Sequence, residues 1–581
     1  MEKLAEIALP ADAPQKKGPD RNSVKHRLTA LINVRKNYEE RWKDIRDYQL
    51  PFIGEFGDTG DAANKARRKD LMIANGTAWL ANLAFSAGIM SGLTPPSRQW
   101  FKFSFSNSQN EDIEAGRVLD KRQEIVEYIL HRSNFYNSVH ACYMELAHGQ
   151  APLGVFASSE TGVRFQNYTI GTYYLSNGAN GKVDTFCREF QMTADQLLDQ
   201  FGENNLPQTV KDALQNESGR YNKQFKTYWM VCPNKYRTVG KPGRSNMPYS
   251  SLYWIANQAE NNGFLYTGGF EEFPVPTARY QVIEGSPYGK GPGWYAEGDA
   301  KMLQMMKKDL LTTAELMVKP PMKGPADVGM NGGVNLIPGG YTHVNNMTGN
   351  NAIEPLFQVP TNPQWLAQEI IKTEESIKRI YSADLFLMLD AIENKQMTAR
   401  EVMERQQEKL QQLGPVVERM QDEFLSPIIE RCYNIAERMG IFEPLPEELA
   451  ERIGEEEIKI EYISPLAQAQ KMSGLVNIEQ AVSFVSQMAQ IYPEALKSVD
   501  PIGTIKRYFN LLGAPAVMQR SKEEIDKLIQ AEKESMREQE EQEYMMRQAQ
   551  AMAPAAQAAK NLTEAAQDGN PALQNLLGLG G

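Results

Sequence analysis

Three histidines in one stretch of predicted helix are the residues best suited by type to bind a metal ion. His131, His140 and His148 are nine and eight positions apart. Two histidines of one helix share a metal ion when they are four positions apart, because that spacing puts both on one face. The observed spacing does not match, so we interpret them as ordinary surface or core histidines and expect no metal ion.

A glycine-rich segment comes close to a phosphate-binding loop without matching one. Residues 285–290 read Gly-Ser-Pro-Tyr-Gly-Lys, which is one residue shorter than a P-loop. Gly291 stands where a serine or threonine would bind magnesium. We interpret the segment as a hinge, and no nucleotide or other cofactor is expected.

Patterns for nucleophilic catalysis are also missing. The sequence contains no Gly-x-Ser-x-Gly elbow, and no cysteine has an identifiable histidine partner. The cysteines form no CxxC pair, which argues against a disulfide framework or thiolate zinc site and favours a reducing compartment. They are Cys142, Cys187, Cys232 and Cys432. The chain is therefore expected not to be an enzyme.

The composition indicates a folded chain of several packed regions with an acidic surface. Of 581 residues, 41% are hydrophobic and 23% charged, and this length exceeds what one core usually serves. The net charge of -11 opposes a tight grip on phosphates but suits a surface along which DNA slides. The densest basic cluster is a candidate for touching DNA or a partner, although a solvated helix face is the simpler interpretation. It comprises Lys65, Arg67, Arg68 and Lys69.

No targeting or membrane segment is expected. Residues 1–20 mix charges with three prolines and lack an apolar core, which is typical of a flexible arm and not of a signal peptide. The longest apolar run, residues 385–389, is far shorter than the roughly 20 residues of a membrane span. We therefore expect a soluble protein without a membrane partner.

The first quarter of the chain is predicted to be mainly helical and the region after it to be β-rich. Apolar residues recur at helical spacing in residues 23–50, and three further helices are predicted within 65–148. Residues 151–293 contain short β-branched and aromatic runs broken by Gly, Pro and Asn, which predicts strands. Among them, Thr193 is placed to cap a short helix over residues 191–200. The predicted fold class is α+β, predominantly helical.

Two predicted helices flank a small β module in the next segment. One covers residues 297–318, and the other follows Asn362 as its cap. The second helix carries two pairs of opposite charges four positions apart, Glu374/Lys378 and Glu375/Arg379. The module is rich in Gly, Pro and Asn and offers strands near residues 334–337, 341–344 and 353–358.

The C-terminal third is predicted to contain a long helix and a polar tail. A capping box at residues 398–401 opens a helical pattern that ends at Gly440 and would be about 65 Å long. Pro415 and Pro427 predict bends or breaks in it. A smaller helical region follows, and then a polar helix from Ser521. The Ala/Gln-rich remainder is expected to be disordered or packed only within an oligomer.

The order of these elements resembles the portal fold of short-tailed, podovirus-type bacteriophages. Several short segments also resemble sequence motifs of their head-to-tail connector proteins. They are Ser133-Asn134-Phe135, residues 145–149 (ELAHG), residues 286–293 (SPYGKGPG), Lys319-Pro320-Pro321, residues 397–402 (MTAREV) and Leu413-Gly414-Pro415-Val416.

The resemblance implies a division of the chain into wing, stem, clip and crown. A flexible N-terminal arm (1–20) and a flexible tail (561–581) would stand at the two ends. Between them would lie the wing (21–296), the stem helices (297–318 and 363–381), the clip (319–362), the tunnel loop (382–397), the long wing helix (398–440) and the crown (441–560).

The same resemblance implies a ring-forming structural subunit, expected to be a dodecamer at the portal vertex of the virion and made in the host bacterial cytoplasm. Double-stranded DNA would pass through it without sequence-specific binding during packaging and ejection. Its partners would be terminase, which would hydrolyse the ATP, tail adaptor proteins, and the major capsid and scaffold proteins. Two apolar stripes would be buried between the stem helices of neighbouring subunits, Leu303/Leu310 and Ile370/Ile377.

The DNA-channel candidates that follow from the resemblance lie on the stem and the tunnel loop. They are Lys301, Lys307, Lys308, Lys372, Lys378, Arg379, Leu385, Phe386, Asn394 and Lys395. An alternative is a scaffold or minor capsid protein without a DNA channel, which would share the long helices and the acidic tail. An enzyme such as a metal-dependent hydrolase is a further alternative, which the missing ligand cluster disfavours.

Overall fold

The computed structural model divides the chain into two compact units. The first unit takes residues 1–106 and 121–513, and the second takes residues 107–120 and 514–581. Apart from a few isolated positions, the structure describes residues 20–56, 72–105, 113–238, 243–256, 263–283, 285–325, 335–344, 354–357, 364–383, 413–444, 458–464, 481–489 and 522–567.

Four helices open the described chain. They are α1 (Arg21–Tyr48), α2 (Thr77–Leu93), α3 (Ile113–Arg132) and α4 (Phe135–Glu145). α1 buries Trp42 and Ile45 completely, and α2, rich in small residues, packs against α4. The predicted helices are confirmed, although residues 72–76, which the prediction placed in a helix, form none. α4 ends in a 3-10 turn, Leu146–His148.

The β-rich region forms two antiparallel sheets, which confirms the prediction of strands. Strand β1 (Phe101–Phe105) precedes this region. The strands of the region are β2 (Gln150–Ser158), β3 (Gly162–Asn167), β4 (Tyr173–Asn177), β5 (Val183–Thr193), β6 (Gln224–Pro233), β7 (Tyr249–Ile255), β8 (Tyr266–Phe270) and β9 (Thr277–Arg279). One sheet has the order β4-β5-β6-β7-β8, and the other has the order β3-β2-β9.

Three short helices lie between β5 and β6, and the first two share a hydrophobic core with residues of β5, β6 and β7. They are α5 (Ala194–Phe201), α6 (Gln208–Leu214) and α7 (Glu217–Asn222). The Thr193 hydroxyl accepts the Gln196 backbone N–H at 3.3 Å, and Gln196 Oε1 accepts the Thr193 N–H at 3.0 Å. This capping box confirms the cap predicted at Thr193.

Two helices flank a small three-stranded sheet, as predicted. Helix α8 (Glu297–Val318) has the predicted bounds, and α9 (Gln364–Ile380) closely matches its prediction. Between them β10 (Met322–Pro325) pairs in parallel with β11 (Tyr341–Val344) and antiparallel with β12 (Glu354–Pro355). The cap predicted at Asn362 lies outside the described residues.

The strand predicted at residues 334–337 is wrong for the described residues 335–337. They lead into a turn in which Gly339 has a φ of 75° and the Gly340 N–H donates to the Ile337 carbonyl at 2.7 Å. Two consecutive glycines favour such a turn, because glycine adopts positive φ without a steric cost. Within this small sheet, the strand that the prediction missed is β10.

The helix over residues 413–438 contains a π-helical turn where a bend was predicted. Residues 413–420 are helical, the π turn covers Gln421–Leu425, and α10 (Ser426–Arg438) follows. Pro427 has no N–H for the carbonyl four residues earlier, so the wider turn just before it accommodates it without a break. Pro415 causes no break in the described helix. Residues 398–412 lie outside the described residues.

The π turn also realigns the buried side of this helix. At 100° per residue, the apolar positions after the turn are offset from those before it by roughly 100°, which is the offset that one extra residue introduces. Both groups therefore reach the core. They are Leu413, Val417 and Met420 before the turn, and Ile428, Ile429 and Cys432 after it.

The chain after α10 returns to the N-terminal part of the first unit. Gly440, with a φ of 67°, ends the helix as predicted. Strand β13 (Ile458–Tyr462) then pairs antiparallel with β1. The prediction of a purely helical region is therefore wrong at β13, because Tyr462 stacks on Trp100 with ring centroids 6.5 Å apart and holds the strand there.

The described part of the second unit consists of the first residues of α3 and helix α11 (Lys522–Gln567). This confirms the polar helix predicted from Ser521, but the helix also continues through the Ala/Gln-rich segment and past residue 561. The helix persists there because alanine and glutamine are strong helix formers. That the remainder is disordered or packed only within an oligomer stays a prediction. Among the described helices, none combines the length and the apolar character of a membrane span.

Candidate functional site: the paired helices and their joint with the body

Helices α8 and α9 pack against each other and against the rest of the first unit, which we call the body (its residues outside 293–383). Leu303, Ile370 and Ile377 are buried within this single chain. They are therefore not available to a neighbouring subunit, and the predicted stripes are wrong at these positions. The apolar side chains that these helices leave exposed are Met302, Met305, Leu311, Met317, Val318, Trp365 and Ile371.

The basic candidates on α8 differ in environment. Lys301 donates to Asp44 of α1 at 2.7 Å and to Glu297 at 2.8 Å, so two carboxylates already neutralise its charge. Lys307 is half-buried and Lys308 is exposed. Lys301 thus ties α8 to the body, whereas Lys308 points to solvent.

The candidates on α9 are all exposed, and they are Lys372, Lys378 and Arg379. Arg379 lies 3.7 Å from Glu375, as the spacing of this pair predicted. Glu374 accepts a hydrogen bond from Asn75 of the body at 2.6 Å. The remaining candidates lie outside the described residues and are Leu385, Phe386, Asn394 and Lys395.

A buried amide joins α8 to the body. Oε1 of Gln304 accepts the backbone N–H groups of Ala74 and Asn75 at 2.7 and 2.8 Å. Nε2 of Gln304 donates to the carbonyls of Tyr48 and Asn75 at 3.1 and 2.9 Å. The amide therefore makes all four of the hydrogen bonds open to it, which fixes its orientation as well as its position.

A second buried amide lies beside the first, at the end of α1. Gln49 Nε2 donates to the Gly293 carbonyl at 2.9 Å, and Gln49 Oε1 accepts the Tyr381 hydroxyl at 2.8 Å. Gly293 precedes α8 and Tyr381 follows α9. One side chain of the body thus bonds the chain just before α8 and just after α9.

Two backbone segments meet where the chain approaches α8, and they are residues 145–149 and 286–293. A Cβ on either Gly149 or Gly289 would overlap the carbonyl oxygen of the other. The Tyr280 N–H donates to the Gly149 carbonyl at 2.9 Å beside them. This packing leaves no space in which the glycine-rich segment could surround a phosphate. It also fixes residues 286–293 against residues 145–149, whereas the glycines alone predicted a hinge.

Two of the three histidines, His148 and His131, lie in opposite environments. His148 is fully buried, and burial lowers its pKa to about 3. His131 is exposed, with its ring 5.0 Å from that of Tyr136. Within the described residues, no group of histidine, cysteine and carboxylate side chains is arranged to hold a metal ion.

A buried carboxyl lies three positions before His148. Glu145 Oε2 accepts the Ile170 N–H at 2.8 Å. Burial raises the pKa of Glu145 to about 8, against the weaker opposing effect of hydrogen bonds from Thr169 and Ile170. The carboxyl is therefore mostly protonated at neutral pH, because an ionised group in this position would lose its hydration without gaining a cation.

A buried arginine holds the π turn to the body. Arg279, at the end of β9, donates to both carboxylate oxygens of Glu423 at 2.6 and 2.8 Å. It also donates to the carbonyls of Gly181 and Ser286 at 2.8 and 3.1 Å and to Asn177 Oδ1 at 3.3 Å. All five N–H groups are used, which is the condition under which a buried ion pair is tolerated.

The side chains that hold the paired helices and the π turn to the body, which we call the joint, were not singled out from the sequence. Gln49, Gln304 and Arg279 belong to no short motif. For Gln304 a signal did exist, since it stands next to Leu303 on the buried side of α8. A polar side chain in such a position needs bonded partners, although the sequence does not say which ones.

The sequence matches a known family along nearly the whole chain. The profile of bacteriophage head to tail connecting proteins matches residues 21–519. The chain therefore belongs to this family, which confirms the resemblance noted from the sequence.

Two curated relatives narrow the class to portal proteins. The chain is 33% identical to the portal protein of Salmonella phage epsilon15 over 542 residues, which are 92% of this chain and 94% of that protein. It is 30% identical to a probable portal protein of Bordetella phage BPP-1 over 496 residues, which are 85% of this chain and 88% of that protein.

The glycine contact predicts a strong effect of one added methyl group. We expect Gly289→Ala to lower the melting temperature or prevent soluble expression, because the Cβ would overlap the Gly149 carbonyl. Gly298→Ala, in the first turn of α8, meets no atom within 4 Å and should leave the melting temperature unchanged or slightly higher. Thermal unfolding of both variants checks this, and equal melting temperatures would contradict the contact.

The buried carboxyl predicts a pH-dependent gain in stability for Glu145→Gln. The unfolded chain releases this proton near pH 4.5 and the folded chain near pH 8, so wild-type stability falls as the pH rises between these values. Glutamine still accepts the Ile170 N–H and does not ionise. The melting temperature of the variant relative to wild type should therefore increase from pH 5 to pH 8.

Glu272→Gln is the control of opposite sign. Burial raises the pKa of Glu272, but the hydrogen bonds and charges of Arg438 and Arg431 outweigh it and lower the pKa overall. This carboxylate therefore stabilises the fold near neutral pH and less as the pH falls. The control should lose most stability at neutral pH. A difference between Glu145→Gln and wild type that stays constant with pH would refute the assignment of a buried, protonated Glu145.

Proposed function

We propose that this chain is the structural subunit of a portal ring at the head-tail junction of a phage, the conduit through which the genome is packaged and ejected. Its family and its portal-protein relatives support the class. The observation that carries ring formation is the set of apolar side chains that α8 and α9 leave exposed. Such side chains need a neighbouring surface to leave water, and a second copy supplies one.

In this proposal α8 and α9 are the two stem helices, and the sheet β10–β12 belongs to the clip. The clip faces terminase during packaging and tail adaptor proteins afterwards. Residues 21–296 form the wing, 382–397 the tunnel loop and 398–440 the long wing helix. The crown was expected to begin at residue 441, but β13 pairs with β1, so we now place its start after residue 462.

The proposed channel carries DNA without holding it. Each chain has a net charge of -11, and a closed ring, for which we propose a dodecamer, multiplies this charge and disfavours adhesion of the DNA backbone. Lys301 becomes a structural residue because Asp44 and Glu297 neutralise it. The candidates for brief contacts with DNA are Lys307, Lys308, Lys372, Lys378, Arg379 and the loop residues Leu385, Phe386, Asn394 and Lys395.

Passage through such a ring needs no covalent chemistry in this chain. The ATP-driven step belongs to terminase in this proposal, and the major capsid and scaffold proteins surround the ring in the capsid. Negative-stain microscopy separates the portal from a scaffold or minor capsid protein, because only the portal requires closed rings with an axial hole.

Ring formation predicts that removing exposed apolar side chains from α8 releases subunits. Met302 and Met305 lie three positions apart, so they share one side of the helix. Wild-type protein should elute as a ring of several hundred kilodaltons, since each chain has a mass of 65.5 kDa. The double variant Met302→Ser, Met305→Ser should shift towards single subunits with an unchanged circular dichroism spectrum. Light scattering measures both masses.

Tyr221→Ser is the matched control, because Tyr221 is equally exposed but lies on α7, away from the paired helices. It should leave the ring intact. A monodisperse wild-type monomer in physiological salt would defeat the proposal of a ring. A double variant that still forms normal rings would show that this side of α8 does not lie between subunits.

The clip assignment predicts a separate effect on partner docking. Replacing residues 320–362 with a short Gly/Ser linker should leave the body folded, because the small sheet pairs only with itself among the described strands. Tail adaptor proteins should no longer bind the resulting ring. Co-sedimentation of adaptors with wild-type and replaced rings measures this, and normal adaptor binding to the replaced ring would show that the clip lies elsewhere.

A further inference from the structure

The chain is bonded to the same side chain of the body where it enters α8 and where it leaves α9. Gln49 donates to the Gly293 carbonyl, and Tyr381 donates to Gln49, at 2.9 and 2.8 Å. Gln49 is 1% exposed and Tyr381 is fully buried. Both bonds are between neutral groups, so neither salt nor moderate pH changes weaken them.

The backbone directly after Tyr381 has an unusual conformation. Ser382 has a φ of 53°, and it is the only described residue besides glycine with a positive φ. Serine adopts this conformation only where its surroundings impose it. The Ser382 N–H donates to the Arg379 carbonyl at 2.9 Å, and Ala383 is buried. The chain therefore changes direction at a defined point, one residue beyond the bond to Gln49.

We propose that Gln49 and Tyr381 act as a pin that sets where and in which direction the chain leaves α9. Both are positioning residues for DNA passage, since the segment that follows is the proposed tunnel loop. This inference rests on the proposed function. Without the pin, Ser382 is free to relax to an ordinary conformation, and the direction in which the chain leaves α9 is no longer the same in every subunit.

The pin is distinct from the contacts that hold the paired helices to the body. Gln304 bonds α8 to residues 48 and 74–75, and Asn75 bonds α9 through Glu374. These contacts remain when the Tyr381 hydroxyl is removed. Tyr381→Phe keeps the ring, which lies edge-on to Phe85 with centroids 6.4 Å apart, and deletes only the bond to Gln49.

Tyr143→Phe is the matched control. Tyr143 is also fully buried, and its hydroxyl pairs with that of Thr94 at 3.1 Å inside the body. It contacts neither end of the paired helices through a hydrogen bond. Both variants lose one buried hydroxyl bond, so both should lower the melting temperature by a similar amount.

The experiment compares full-length rings of wild type, Tyr381→Phe and Tyr143→Phe. Hydrogen exchange of a peptide covering residues 379–383 should accelerate about tenfold in Tyr381→Phe only, because its local opening becomes easier. In reconstituted heads, the amount of full-length DNA protected from nuclease should fall in Tyr381→Phe and stay normal in Tyr143→Phe. Gln49→Leu should reproduce the effect, and combining it with Tyr381→Phe should add little, since both remove the same bond.

The outcomes separate this inference from the proposed function. Wild-type rings that fail to form, or that package no DNA, would overturn the portal proposal itself. Normal exchange and normal protected DNA in Tyr381→Phe, with a functional wild type, would overturn the pin alone. An equal loss of protected DNA in Tyr143→Phe would show that general stability, and not the position of residue 382, controls DNA retention.

Discussion

The close approach of two backbones at Gly149 and Gly289 is the constraint on which the position of the paired helices depends. A side chain at either glycine would overlap the opposite carbonyl, so the segments meet only because both residues are glycine. The chain runs from this contact through Gly293 into α8. The contact also brings β9 beside β2, and thereby places Arg279 where it reaches the π turn. The positions of β9, of the paired helices and of the π turn therefore all depend on this one contact.

The joint and the surface of the paired helices use different kinds of interaction. At the joint, the buried amides of Gln49 and Gln304 have their bonds satisfied by neutral groups. Burying neutral groups costs less free energy than burying charges, and the bonds keep their strength in salt. Further along α9, charges such as Lys372 and Arg379 stay in water, where pairs contribute little to stability. The buried amides thus hold helices whose exposed side carries solvated charges, and this agrees with the proposal that they line a channel for DNA.

The long helix shows how a local irregularity serves the global fold. The π turn lets two apolar stripes of different register face one core and makes room for Pro427. It also presents Glu423 to Arg279, whose five donors are all bonded. Pro427 was visible in the sequence and predicted a disturbance at the right place. That the disturbance is a π turn whose Glu423 faces Arg279 could not be seen in the sequence, because Arg279 lies 144 positions away in the chain.

The family, the α+β class and the bounds of α8 could be predicted from the sequence, because motifs, apolar periodicity and helix-breaking residues are local properties of the chain. The cap at Thr193 and the end of the long helix at Gly440 were predictable for the same reason. The contact of Gly289 with the body, the bonds through which Gln304 and Gln49 hold the paired helices and the pairing of β13 with β1 became visible only in the folded chain. Gln49 and Gln304 bond partners that are between 229 and 332 positions away in the chain. Such pairings arise from the packing of whole elements, so no local pattern of residues specifies them.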